Sequence, residues 1–173
     1  MIRLLGSIGC REVMGVKKGN WKVYAIWITI AEAVGFLSGL LSREGTRVYG
    51  ETVMQPPLAP PAWVFPVVWT ILYALMGISA ARIYLAEPST QRSRGLNIFV
   101  AQLIVNFFWS LIFFNLQAYG LAFAWLVLLW VLVAWMIWAF YPVDELAAWL
   151  QVPYLIWLTF AAYLSAAVWI LNR

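Results

Sequence analysis

The run Pro60-Pro61-Ala62-Trp63-Val64-Phe65-Pro66-Val67-Val68-Trp69-Thr70-Ile71-Leu72-Tyr73-Ala74-Leu75-Met76-Gly77 decides the fold. It carries no charge, and Phe65, Trp69, Tyr73 and Met76 recur at spacings of four, four and three, the signature of one helical face. Crossing about 30 Å of hydrocarbon takes about 20 mostly apolar residues at about 1.5 Å per residue. From Ala62 to Leu85 the chain meets that demand with Arg82 as its single charge. Four further stretches qualify by the same rule, so the expected spans are 21–42, 62–85, 96–116, 119–141 and 147–170. Of the 173 residues 65% are hydrophobic and 10% charged, against roughly 25% charge in an average soluble domain. These observations imply an all-α integral membrane protein, a five-transmembrane-helix bundle occupying residues 21–173, preceded by a basic N-terminal arm at residues 1–20.

The arm holds Arg3, Arg11, Lys17 and Lys18 around an apolar stretch too short for a signal-peptide core. Together with Lys22, Arg92 and Arg94 it shares one side of the membrane, whereas Arg43, Arg47 and Arg173 fall on the other. In a bacterial inner membrane that bias places the N-terminus in the cytoplasm.

Residue inventory removes whole classes of chemistry. There is no His, which excludes Ser-His-Asp catalysis, His-ligated haem and most zinc sites. A lone Cys10 allows neither an internal disulfide nor a cysteine cluster. Gly35-Phe36-Leu37-Ser38-Gly39 lies inside a span with no Lys after it, so it is no phosphate loop. No metal site and no nucleic-acid partner is expected, and no cofactor is required.

What remains is a set of side chains suited to a flat, apolar ligand. Gln102, Asn106 and Ser110 follow one another at spacings of four in the third span, beside Trp109 and Phe113. Amides at that depth need a neighbouring helix, water or a ligand. The fifth span repeats the pattern with Tyr154, Trp157, Ala161 and Ser165, where the small Ala161 leaves room between larger neighbours. Ordinary core packing explains the same stripes and stays open here. In the fourth span Trp125, Trp130, Trp135 and Trp138 point in different directions, so some must face lipid. In the first span Ala31, Gly35 and Gly39 make a small-residue face. At about 100° per residue Glu32 lies within about 60° of that face and is expected to point into the bundle, as a proton or polar site or as a neutral hydrogen-bonded carboxyl. The connection 43–61, with Pro56, Pro57, Pro60 and Pro61, reads as a stiff, extended lid.

The block from Pro60 through Phe65-Pro66, Val68-Trp69-Thr70-Ile71-Leu72-Tyr73 and Met76-Gly77 resembles the signature of the TspO/MBR family, the translocator or tryptophan-rich sensory proteins. Gln102-Leu103 with Asn106, Trp109, Phe113 and Phe114 agrees with it, as do Val152-Pro153-Tyr154-Leu155-Ile156-Trp157 and the Glu44-to-Tyr49 segment. The resemblance implies a five-helix bundle, usually a homodimer, whose first loop caps a cavity for porphyrins such as protoporphyrin IX, for sterols in some members, and for synthetic ligands. Carried over by position, it implies ligand contacts from Trp69, Tyr73, Asn106, Trp109, Trp157 and Ala161, and it connects Trp69 and Trp157 with slow, light-dependent porphyrin degradation.

Together with Phe65, Phe113 and Tyr154 from the stripes these make the expected ligand site, and Arg47, Tyr49, Pro56 and Leu58 make the expected lid. The chain departs from the family pattern at Gln55-Pro56-Pro57-Leu58, where a Lys and an aromatic are usual, and at Leu164-Ser165, where Leu-Asn is common. The expected function is a membrane porphyrin-binding sensor or regulator, with rings from three helices converging on one enclosed void. The alternatives are a transporter of porphyrin, sterol or other lipophilic cargo with Glu32 as protonation switch, and a dimeric membrane scaffold.

Overall fold

The computed structural model describes residues 20–173. The basic arm and Cys10 lie outside them. The elements are α1 (Trp21–Leu41), α2 (Arg43–Thr52), α3 (Val64–Leu85), α4 (Thr90–Ser110) continued by a π-helical turn (Leu111–Asn115), α5 (Tyr119–Phe140), α6 (Glu145–Trp149) and α7 (Val152–Leu171). Among the described residues five helices are long and apolar enough to span a membrane: α1, α3, α4 with its π turn, α5, and α6 with α7.

Three boundaries differ from the sequence reading, each for a local reason. The third span starts at Thr90 rather than 96, because Ser89 caps the helix by accepting from the Arg92 N–H and the polar first turn Gln91-Arg92-Ser93-Arg94 hides it from hydropathy. The fifth span is broken. Asp144 caps α6 through the Ala147 N–H, and α7 begins afresh with Pro153 in its first turn, where a missing donor costs nothing. The largest difference is α2, since the first half of the expected extended lid is helical. Its signal is Glu44, Arg47 and Glu51 at spacings of three and four, and Arg47 pairs with both carboxylates, at 2.9 Å with Glu51. The prolines govern only the second half, from 53 to 63.

The spans form a ring. α1 packs along α3 and also touches α4, α4 packs along α5, and α5 along α7. α7 and α3 then meet across a wider seam bridged by aromatic rings. The α1–α3 backbones approach closely: a Cβ on Gly77 would collide with the Ile28 backbone, and one on Gly35 with the Tyr73 ring. Small residues allow this because lipid gives no hydrophobic drive to associate, so packing and interhelical hydrogen bonds must hold the helices together. A Cβ on Gly39, expected to share this face, would meet no neighbouring helix within 4 Å. Glu32 is correspondingly only partly buried and pairs with no cation among the described residues.

Polar stitches complete the ring. Ser38 Oγ donates to the Phe107 carbonyl at 2.9 Å, Trp125 Nε1 to the Val105 carbonyl at 2.8 Å, and Trp130 Nε1 to Thr159 Oγ1 at 2.9 Å. At the end opposite the lid Arg82 and Asp144 form an ion pair at 2.8 Å, and Ser79 Oγ donates to the Ala147 carbonyl at 2.7 Å. Some of the α5 tryptophans face outward as expected, Trp135 and Trp138 among them, and Trp21 and Trp63 stand exposed at span ends.

Candidate functional site

The polar residues of three helices meet in the middle of the ring. Tyr73 on α3 donates from its hydroxyl to Asn106 Oδ1 on α4 at 2.9 Å. Asn106 Nδ2 donates to the Tyr154 hydroxyl on α7, which donates onward to Gln102 Oε1 at 3.3 Å. All four are buried. The Tyr154 hydroxyl and the Asn106 amide each both give and accept in this chain, and Tyr73 gives, so four polar groups sit in an apolar bundle with few orphaned atoms. The exceptions are the Gln102 Nε2 and, one turn before Tyr154, both polar atoms of Gln151.

Around this chain the aromatic stripes close up. Trp69 stands 5.5 Å from the Tyr73 ring and 6.1 Å from Tyr154, and Phe65 stands 5.9 Å from Trp157. Ala161 is buried between its larger neighbours. Here the rings pack together and the hydroxyls and amide bond to one another. Open space lies instead at the α3–α7 seam, a groove of about 460 Å³ lined by Val68, Ile71, Leu75, Ile156, Trp157 and Phe160. Trp157 therefore borders both the aromatic cluster and the bilayer-facing groove.

A second cluster lies under the lid. The π turn brings Phe113 to 5.1 Å from Trp109 in a stacked pair and to 5.2 Å from Tyr119. Local widening of a helix in this way is often found at functional sites. α2 rests on that turn: Gly45 is pressed against the Phe114 carbonyl, Asn115 Nδ2 donates to the Leu41 carbonyl at 2.9 Å, and the Tyr49 ring lies 5.4 Å from both Phe113 and Phe114. Burial, with a smaller contribution from Tyr119, pushes the Tyr49 phenol above its usual range. Beneath the lid three donors are buried without a partner among the described residues: Trp109 Nε1, the Tyr119 hydroxyl and the Ser165 hydroxyl. Such orphans are uncommon in native structures and call for an explanation.

The expected lid residues divide by direction. Tyr49 packs downward and Pro56 is buried, whereas Leu58 is 78% exposed and Arg47 is held by Glu44 and Glu51 on the outer face of α2. The pairing with Arg47 holds the Glu44 carboxyl below its usual range, chiefly by hydrogen bonding. Arg47 is thus committed to its own helix. Sequence reasoning missed the residues that fasten the lid. Asn172 accepts from the Met54 N–H at 3.0 Å and donates to the Met54 carbonyl at 3.1 Å, as a neighbouring strand would, and the Tyr163 hydroxyl donates to the Pro57 carbonyl at 3.1 Å. Only the lone amide at the end of an apolar helix hinted at this.

A model of the TspO/MBR family matches residues 25–170. The chain is 35% identical over 149 residues to the tryptophan-rich protein TspO of Chlorobaculum tepidum, covering 86% of this chain and 94% of that protein. It is 34% identical over 153 residues to the tryptophan-rich sensory protein of Cereibacter sphaeroides, covering 88% and 93%. It is 34% identical over 151 residues to the human translocator protein, covering 85% and 89%.

Proposed function

The chain belongs to the TspO/MBR family, and from that premise we propose that it is a membrane sensor or regulator that binds protoporphyrin IX or a related tetrapyrrole beneath its lid. The observation that carries this reading is the buried, unpartnered Trp109 N–H within a nest of aromatic rings. A porphyrin is a flat apolar disc with two carboxylates, so it wants ring faces for the disc and a few donors for its edge. Trp109, Tyr119 and Ser165 offer donors, and Trp69, Phe113 and Trp157 offer faces. The carboxylates have no call on Arg47, which Glu44 and Glu51 already engage. With no His in the chain, a metal-free tetrapyrrole suits the site better than haem.

The test is titration of the purified protein with protoporphyrin IX, followed by the porphyrin's own absorbance. Saturable binding weakened at least about tenfold in a Trp69→Ala, Trp157→Ala double variant is expected, a loss of about 1.4 kcal/mol. Equal affinity of the two proteins rejects the site.

Slow light-dependent degradation of the porphyrin belongs to the same proposal, because Trp69 is in ring contact with both Tyr73 and Tyr154. An excited porphyrin against Trp69 can take one electron from it, the tryptophan radical cation so formed can be reduced by a neighbouring tyrosine, and dissolved dioxygen is the oxidant that the reduced porphyrin would then need for ring opening. Products that form under light in wild type and equally in Trp69→Phe would reduce the protein to a binder. A homodimer is also part of this reading, measured by light scattering in detergent. Transport through Glu32 draws less support, since that carboxyl is partly exposed and belongs to no part of the buried polar chain.

A further inference from the structure

A second groove, of about 580 Å³, opens between the start of α4 and the end of α5, at the end of the bundle opposite the lid. Its floor and one wall are apolar, from Ala134, Ile137 and Trp138, and its rim carries Gln91, Arg94 and Tyr141. Trp138 is 68% exposed and Tyr141 53% exposed, at the depth where spans end and aromatic belts meet headgroups.

Arg94 makes no ion pair among the described residues. Of the acids at this end, Asp144 pairs with Arg82 at 2.8 Å, Glu145 accepts from the rim Tyr141 hydroxyl at 3.2 Å and from Trp149 Nε1 at 3.3 Å, and neither Glu145 nor Glu87 forms an ion pair with Arg94. Arg92, by contrast, lies over the Tyr84 ring at 5.1 Å and takes no part in the groove. An unpaired guanidinium at the mouth of an apolar furrow matches one kind of molecule, an anion with a hydrocarbon tail that reaches it from the bilayer.

We infer that this groove holds an anionic glycerophospholipid, its phosphate on Arg94 and Gln91 and the start of one acyl chain along Ile137, Ala134 and Trp138. A zwitterionic lipid brings its own cation to the rim and gains less. A site of this kind would make the protein sensitive to leaflet composition independently of whatever lies under the lid.

The experiment is native mass spectrometry of the full chain in detergent, mixed with equal amounts of phosphatidylglycerol and phosphatidylcholine. Wild type is expected to retain phosphatidylglycerol at least fivefold over phosphatidylcholine. Arg94→Ala should abolish that preference, Arg94→Lys should keep part of it, and Trp138→Ala should shorten retention of the diacyl lipid. Arg92→Ala should retain the full preference, which separates a local site from general basic charge. Equal retention of the two lipids by wild type, an unchanged preference in Arg94→Ala, or loss in Arg92→Ala as large as in Arg94→Ala overturns the inference. So does displacement of the lipid by inorganic phosphate at equal concentration, which would mark a free-anion site. A lipid-independent dimer lost on Arg94→Ala would assign the groove to a second copy of the chain and overturn it as well.

Discussion

Leu58 shows how much one backbone angle can reveal. Its φ is +67°, and Ala59 N–H donates to the Pro56 carbonyl at 3.2 Å, so Pro56 to Ala59 form a turn with proline second and a left-handed residue third. Glycine is favoured at that third place because a Cβ there costs about 1–2 kcal/mol. Leu58→Gly should therefore stabilise the lid by about 0.5–1 kcal/mol after the added freedom of the unfolded chain is subtracted. Slower amide exchange over residues 53–61 is the expected readout, and faster exchange would mean that the exposed leucine makes a contact of its own, with bilayer or ligand. Trp109 can be tested as cleanly. Trp109→Phe keeps a ring and removes the N–H, so it should weaken protoporphyrin IX about tenfold, in line with a hydrogen bond to a charged acceptor. Its effect on the dimethyl ester should be smaller; equal losses for acid and ester would place the N–H away from the carboxylates.

At the scale of elements, the lid is a helix and a turn held down by the Asn172 amide and the Tyr163 hydroxyl. Asn172 bonds both the N–H and the carbonyl of Met54, and removing it in Asn172→Ala should speed exchange of residues 53–61 about 5- to 30-fold, the equivalent of about 1–2 kcal/mol. The spans should keep their protection; if they lose it too, Asn172 supports the bundle rather than the lid. Alkali gives an independent handle. The Tyr49 phenol titrates higher in the folded lid than in the unfolded chain, so its contribution is complete below the ordinary value of 10.0 and fades as pH rises past that and through the raised value. Lid exchange in wild type should accelerate there, and Tyr49→Phe should remove that acceleration. These elements also mark what the sequence makes legible. The spans were readable because hydropathy integrates over about 20 residues, and Trp69, Tyr73, Asn106 and Tyr154 because helical spacing set them on facing stripes. α2 was obscured by the prolines that follow it, although Glu44, Arg47 and Glu51 announced it. The Asn172 clasp joins residues 118 apart in sequence, and no local pattern encodes such a pairing.

For the molecule as a whole, the ring of spans has one loose joint. α1 with α3, α4 with α5 and α5 with α7 pack closely, whereas α3 and α7 stand apart, and there the groove of about 460 Å³ leads from the bilayer side to Trp157, whose ring faces Phe65. A disc-shaped apolar ligand dissolves in the bilayer before it meets the protein, so the seam offers a shorter route to the aromatic cluster than the latched lid does. The hydrogen-bonded chain from Tyr73 through Asn106 to Tyr154 crosses the same joint, and it would have to shift as α3 and α7 part. A residue on the route but outside the site changes association and dissociation rates together, whereas a residue in the site changes their ratio. Ile156 lines the groove and is 65% exposed, with no part in the buried chain. Ile156→Trp should accordingly slow porphyrin association about tenfold with little change in Kd, measured by stopped-flow mixing with porphyrin-loaded vesicles. If association is unchanged while Asn172→Ala accelerates it, the ligand enters beneath the lid, and the seam serves only as the joint along which the bundle makes room.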